Sequence, residues 1–164
     1  MKYIFASLAL CLIAPTALAQ TAAIESGQPQ VLPKSPLTIV TSSGDLSFEV
    51  ELADDPEETA VGMMFREGVP EGTGMILLFE QRREAFIYMR NVDFGLDVLY
   101  FDTDGEVLAI AHHVQAHSER IVNPGFPVQG VLEIGAGEAS RLGIQPGDML
   151  QHEIFSSTES ESQG

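Results

Sequence analysis

Apolar and polar residues alternate strictly along residues 46–52, where Leu46, Phe48, Val50 and Leu52 are interleaved with Ser47, Glu49 and Glu51. That period of two predicts a strand with one covered face. Residues 37–41 form a second apolar run just before it, and the intervening Ser42-Ser43-Gly44-Asp45 predicts a hairpin turn. Val98, Leu99, Tyr100 and Phe101 are apolar at consecutive positions, the pattern of a strand covered on both faces. Yet Asp97 stands at its mouth. Residues 106–114 follow across Asp104-Gly105, a dipeptide suited to a type I′ turn, so 96–101 and 106–114 are expected to pair. Residues 75–79 and 85–89 read as a strand pair joined by the charged turn Glu80-Gln81-Arg82-Arg83. Residues 128–134 read as a further strand, and 149–155 as the last.

Two short helices interrupt the strands. Asp55 is a cap, Pro56 suits the first helical position, Glu58 completes a capping box and Gly62 is a natural stop. Residues 136–142 read as one to two turns ended by Gly143, before a turn at Pro146-Gly147. Many short strands with two short helices predict a mainly β fold: a compact single-domain sandwich or squat barrel, jelly-roll-like. The absence of βαβ alternation argues against a doubly wound nucleotide-binding fold.

The chain ends change the picture of compartment. Lys2 precedes an apolar run from Ile4 to Ala14, and Ala17-Leu18-Ala19 supplies small residues at a cleavage point. Residues 1–19 are therefore expected to be a signal peptide, which makes the protein exported, periplasmic or extracellular. Residues 20–35 read as a flexible linker, 36–155 as the β-rich domain, and 156–164 as a disordered tail. Cys11, the only cysteine, leaves with the signal, so neither a disulfide nor thiol chemistry is expected in the mature chain. With 24 acidic residues against 8 basic ones, the formal net charge is −16. Nucleic acid and anionic lipid are poor partners for such a surface. No segment is long and apolar enough to be expected to span a membrane, and a soluble monomer is the expectation.

Three blocks carry a resemblance. "GMMFREGVPEGTGMILLFE", "FIYMRNVDFGLDVLYFDTDGEVLAI" and "VLEIGAGEASRLGIQPGD" are similar, in this order, to the blocks of the bacterial and archaeal family known as domain of unknown function 192. The resemblance spans residues 46–155 and implies a compact β-rich fold of jelly-roll or sandwich type, often exported, with no established activity. Where the family carries an aromatic-Trp-Met-Lys-Asn-Thr run and then Pro-Leu-Asp, this chain has Ile87-Tyr88-Met89-Arg90-Asn91-Val92 and then Gly95-Leu96-Asp97. The chain has no tryptophan, so any stacking done by that residue falls to Tyr88. Arg66, Asn91, Asp97 and Glu133 match family positions.

These four polar residues each end an apolar segment and are candidates to converge at one junction. In a functional reading, Arg66 and Asn91 hold an anionic or carbonyl group while Asp97 or Glu133 acts as acid or base. In a structural reading, Asp97 accepts backbone N–H bonds from residues 91–95 and pairs with Arg66. Met63, Met75, Tyr88 and Met89 are the candidate apolar pocket. Met63, Met64, Met75 and Met89 fit a core, an adaptable pocket or a copper(I) site, but neighbouring Met63 and Met64 cannot share a face in a regular element. His112, His113 and His117 lack the convergent ligands zinc requires, so no metal and no cofactor is expected.

Two functions follow. One is a module that binds a small ligand or an envelope component; the other is a hydrolase or lyase using Asp97 and Glu133 as a carboxylate pair on a carbohydrate or cell-wall fragment. The compartment is tested first: intact-mass analysis of the protein from its own cell envelope should give a chain beginning at Gln20.

Overall fold

The computed structural model describes residues 27–156; the expected signal peptide, residues 20–26 of the expected linker, and the tail from 157 onward lie outside the described residues. Strands β1 (Lys34–Thr41) and β2 (Gly44–Ala53) form the first hairpin, closed by Ser42 and Ser43 in the register Thr41 opposite Gly44. Thr41 tightens that turn, its hydroxyl donating to the Gly44 carbonyl at 2.8 Å and accepting from the Ser43 amide at 3.1 Å.

Helix α1 (Pro56–Val61) begins where the sequence places it. The Asp55 carboxylate accepts from the amides of Glu57 and Glu58 at 2.7 and 2.8 Å, and the Glu58 carboxylate reaches back one residue further than a strict capping box, to the Asp54 amide at 3.3 Å. Gly62 ends it at φ +48° and ψ −128°, a conformation that glycine alone adopts readily.

Strand β3 (Thr73–Arg83) then runs parallel to β2, which requires the crossover made by α1 and residues 62–72. Strands β4 (Leu96–Phe101), β5 (Val107–Val114) and β6 (Val128–Gly135), helix α2 (Glu138–Leu142), strand β7 (Met149–Gln151) and helix α3 (Glu153–Ser156) complete the chain. All seven strands form one mixed sheet in the order β5-β4-β6-β3-β2-β1-β7. It curls into a half-barrel, and at one corner its two edges meet: Glu106 bridges Met149, and the Leu150 amide donates to the Gly105 carbonyl at 2.8 Å. The expected mainly β domain is therefore realised as a single curled sheet.

Both faces of the sheet are buried, by different means. The concave interior holds Leu37, Ile39, Phe48, Val50, Ile76 and Leu99, together with Phe101, Leu132, Ile134 and Leu150, and is closed by residues of α2 and α3. The outer face presents Met75, Leu77, Leu96, Val98, Tyr100 and Val131 to a covering of loops, residues 62–70, 85–94 and 122, with Val61 of α1. Strand β4, flanked by β5 and β6 and covered on both faces as its sequence predicts, has all six residues buried.

Three local expectations give way to other structure. Residues 85–89 form no strand; Ile87 makes a single bridge to Val122, while β3 itself runs on to Arg83, meeting β6 again opposite Val128 after an irregularity past Leu78, and the Arg83 guanidinium lies 3.9 Å over the Phe79 ring. The β4–β5 turn is not type I′, because only Gly105 has positive φ, at +87°. The Asp102 carboxylate instead accepts from the amides of Asp104 and Glu106, and the Gly105 amide returns to the Asp102 carbonyl. The last strand stops at Gln151. Buried His152 accepts the Ile154 amide at Nδ1 and thereby starts α3, and its Nε2 lies 2.7 Å from the Ser35 hydroxyl.

Gly130, on β6 between β3 and β4, leaves no room for a side chain: a Cβ there would lie 2.5 Å from both the Leu77 carbonyl oxygen and the Phe101 ring. Gly130→Ala is expected to cost about 1–3 kcal/mol in urea unfolding, since one neighbour is backbone and cannot yield.

Candidate functional site

Register decides which candidate residues can meet. Across the sheet, Glu51 of β2 stands beside Met75 of β3, Met75 beside Glu133 of β6, and Glu133 beside Val98 of β4. These residues form one row on the outer face. Asp97 is opposite Ile134, one residue along, and therefore points into the half-barrel. Asp97 and Glu133 thus project from opposite faces of the same sheet and form no carboxylate pair.

Inside, Asp97 is sealed against backbone. Its Oδ1 accepts the His113 amide at 2.8 Å and its Oδ2 the Ala139 amide at 3.0 Å. His113 has φ +52° and sits where the β4–β5 register slips, so this carboxylate anchors both a bulge and the first turn of α2. The expectation that it accepts from residues 91–95 and pairs with Arg66 gives way to these partners. His112 Nδ1 lies 3.9 Å from Asp97 Oδ2 and 3.3 Å from the Ser140 hydroxyl. One nitrogen faces both groups, so the three residues do not form a Ser-His-Asp relay, which needs opposite ring nitrogens.

Arg66 serves Glu51 instead. Its two terminal nitrogens donate to the two Glu51 oxygens at 2.7 and 2.8 Å, and one of them also donates to the Gln30 carbonyl at 2.8 Å. Glu51 accepts the Leu32 amide as well. Burial pushes the Glu51 carboxyl up, but the Arg66 and Leu32 hydrogen bonds and the charges of Arg66 and Lys34 outweigh that push, and it titrates below the ordinary carboxylate value. Gln30 then ties the incoming chain to α1, its side-chain amide donating to the Glu58 and Gly62 carbonyls at 3.0 Å each. Residues 30–35, read from composition as linker, are held against the domain by these contacts.

Glu133 has no comparable partner. It is 4% exposed, and its Oε2 makes no hydrogen bond among the described residues. Burial raises its pKa from the ordinary 4.5 to about 7, while the Arg66 charge draws it partway back. The phenol of Tyr100, on the same face and equally without a hydrogen bond, is pushed well above its ordinary range by burial and by Glu133. Two carboxylates share this face with one guanidinium. Glu51 takes it.

The carboxyl borders a cavity of about 60 Å³ whose walls include Gly62, Met63, Met64, Tyr88 and Met89. Gly62 is suited to this wall, since a Cβ there would stand 3.7 Å from Glu133 Oε2. Met63 and Met64, neighbours in sequence, both line the cavity because they lie in the turns after α1 rather than in a regular element. Asn91, at φ +57°, holds this loop in place: its carbonyl accepts the Phe65 amide at 2.7 Å and its side-chain amide lies 3.9 Å from the Met64 sulfur. Outside lies a groove of about 690 Å³ that shares Thr59, Ala60, Phe86 and Tyr88 with the cavity. Phe86 and Tyr88 stay exposed along it.

Of the expected residues, Arg66, Asn91, Glu133, Met63, Met75, Tyr88 and Met89 belong to this outer face and its covering, and Asp97 does not. Glu51, Gln30 and Tyr100 are participants that sequence reasoning missed. Alternation marks Glu51 as polar-facing, but nothing in the pattern separates it from solvated Glu49 on the same side.

A family model for DUF192, described as an uncharacterised ACR, matches residues 38–152. No curated protein matches the chain. Two solved structures are similar. One is a candidate transcription regulator from Sinorhizobium meliloti 1021, 35% identical at TM-score 0.71 over 74% of this chain and 96% of that one. The other is a protein of unknown function from Novosphingobium aromaticivorans DSM 12444, 36% identical at TM-score 0.72 over 79% and 96%.

Because the Glu133 pKa is higher folded than unfolded, the folded state keeps a proton that the unfolded chain releases. Its contribution therefore falls as pH rises from the ordinary 4.5 to about 7 and is flat above. Wild type minus Glu133→Gln, followed by urea unfolding across that window, should lose stability with rising pH at no more than about 1.4 kcal/mol per unit.

Proposed function

The chain belongs to the DUF192 family, and from that premise we propose that it is an exported binding module that holds a small ligand in the cavity above Glu133. One observation carries this reading. A buried carboxyl with an oxygen that makes no hydrogen bond among the described residues borders a cavity, and a group left in that state is costly unless something arrives to satisfy it. The ligand that fits offers a hydrogen-bond donor or a positive charge to Glu133 and a soft or apolar surface to Met63, Met64 and Met89. Tyr88 and Phe86, at the boundary with the outer groove, are its route of entry.

The other residues support the site without entering it. Arg66 and Glu51 clamp the crossover loop and the incoming chain, and Asn91 positions the methionine loop. Asp97 belongs to the scaffold, which removes the paired-carboxylate hydrolase as a reading. A formal net charge of −16 disfavours a phosphate backbone, which weighs against a nucleic-acid partner for this chain. Export rests on the basic, apolar and small-residue order of residues 1–19.

Native mass spectrometry of the protein from its own envelope should show added mass on the wild type that Glu133→Gln loses while melting as a folded protein. Identical spectra for the two would overturn this assignment.

A further inference from the structure

Four of the six methionines, Met63, Met64, Met75 and Met89, lie buried in one cluster on the outer face of the sheet. Met63, Met64 and Met89 line the cavity that Glu133 borders. We propose that this cavity is a site for a soft monovalent cation, Cu(I), held by the thioethers of these three methionines and by the Glu133 carboxylate. The inference rests on the binding-module reading and names its ligand.

Charge and donor type choose the ion. Thioethers are neutral, soft donors that favour Cu(I) over Mg²⁺, Ca²⁺ or Mn²⁺. Glu133 contributes one negative charge, so a monovalent ion makes the buried assembly neutral, whereas a divalent one leaves an uncompensated positive charge in the same space. Hard-ligand sites are not on offer: among the described residues no group of three His, Cys, Asp or Glu side chains converges. The size agrees, because about 60 Å³ suits an ion or a few small atoms rather than a folded metabolite.

Two side-chain amides act on sulfur. Asn91 Nδ2 lies 3.9 Å from Met64 Sδ and Gln30 Nε2 lies 3.8 Å from Met75 Sδ, contacts that orient otherwise flexible side chains. The groove outside carries Asp54, Asp55 and Glu80 against Arg82 and Arg83, an acidic excess at the entrance. Binding involves no electron transfer: the ion enters and leaves as Cu(I), and the carboxyl releases its proton on binding.

The test uses the full chain carrying Cys11→Ser, which removes its only thiol, titrated with Cu(I) under anaerobic conditions against the chromophoric chelator bicinchoninate. One Cu(I) per chain is expected to be withdrawn from the chelator. Affinity should drop by at least about tenfold in Glu133→Gln, Met89→Leu and Met63→Leu. The leucine variants conserve volume and keep the experiment readable should Glu133→Gln fail to fold. Ag(I), a soft ion without redox chemistry, should raise the melting temperature of the parent chain and not of Met89→Leu. No withdrawal, withdrawal undiminished in both leucine variants, or withdrawal lost only on replacing His112 and His113 would each overturn the proposal. An organic adduct in the native mass spectrum with no copper uptake would overturn it while leaving the binding module standing.

Discussion

One sheet covered on both faces must bury two sets of side chains, and nearly everything about this molecule follows from how the second set is covered. The concave face closes on itself, because the curl brings β5 and β7 together and α2 and α3 seal what remains. The outer face has no second sheet to meet. It is covered by the parallel crossover after β2 and by long segments between strands, which is why loops here carry buried methionines and isoleucine rather than only polar residues. A covering made of irregular chain has backbone groups to satisfy, and Asn91, Gln30 and Arg66 meet several of those needs. It also packs less completely than interlocked strands, and the cavity beside Glu133 lies within it.

The electrostatics of that face are unequal. Both terminal nitrogens of Arg66 are taken by Glu51, one of them adding a carbonyl contact that fixes the incoming chain, while its buried Nε makes no hydrogen bond among the described residues. Glu133, one strand beyond Met75, feels the same guanidinium only as a field. Asp97 is anchored by two backbone amides, whereas Glu133 Oε2 receives none among the described residues. The two carboxylates sit on neighbouring strands in almost the same register and have opposite fates: one is saturated by the main chain, and the other borders a cavity with one oxygen that makes no hydrogen bond among the described residues.

Much of the frame was legible in the pattern of residues. Alternation in residues 46–52, the unbroken apolar run of 98–101 and the Asp55-Pro56-Glu58 start of α1 are local signals, and local physics delivers them. Residues 85–89 misled for a physical reason. Their alternation is real, since Ala85, Ile87 and Met89 are buried while Phe86 and Tyr88 are exposed, but the segment lies over the sheet rather than in it. Period two reports a two-sided environment, not membership in a ladder. The pairing of Arg66 with Glu51 rather than Asp97 was invisible because it depends on which face each strand presents, a property set by the curl and the crossover. Asp97 raised the right question, and its answer, a carboxylate stitching a bulge to a helix start, needed two chain segments that only folding brings together. Of the outer site, the residue types were legible. Their division between clamp and cavity was not.

Adjacent positions on β6 answer to different demands. Leu132 and Ile134 complete the closed interior, whereas Val131 and Glu133 face the loop-covered side. A substitution at 131 or 133 is therefore felt first in the loop-covered layer, and one at 132 or 134 in the closed interior. Over these four residues a single strand serves as the partition between two separately packed layers, and each layer is set by its own alternate positions.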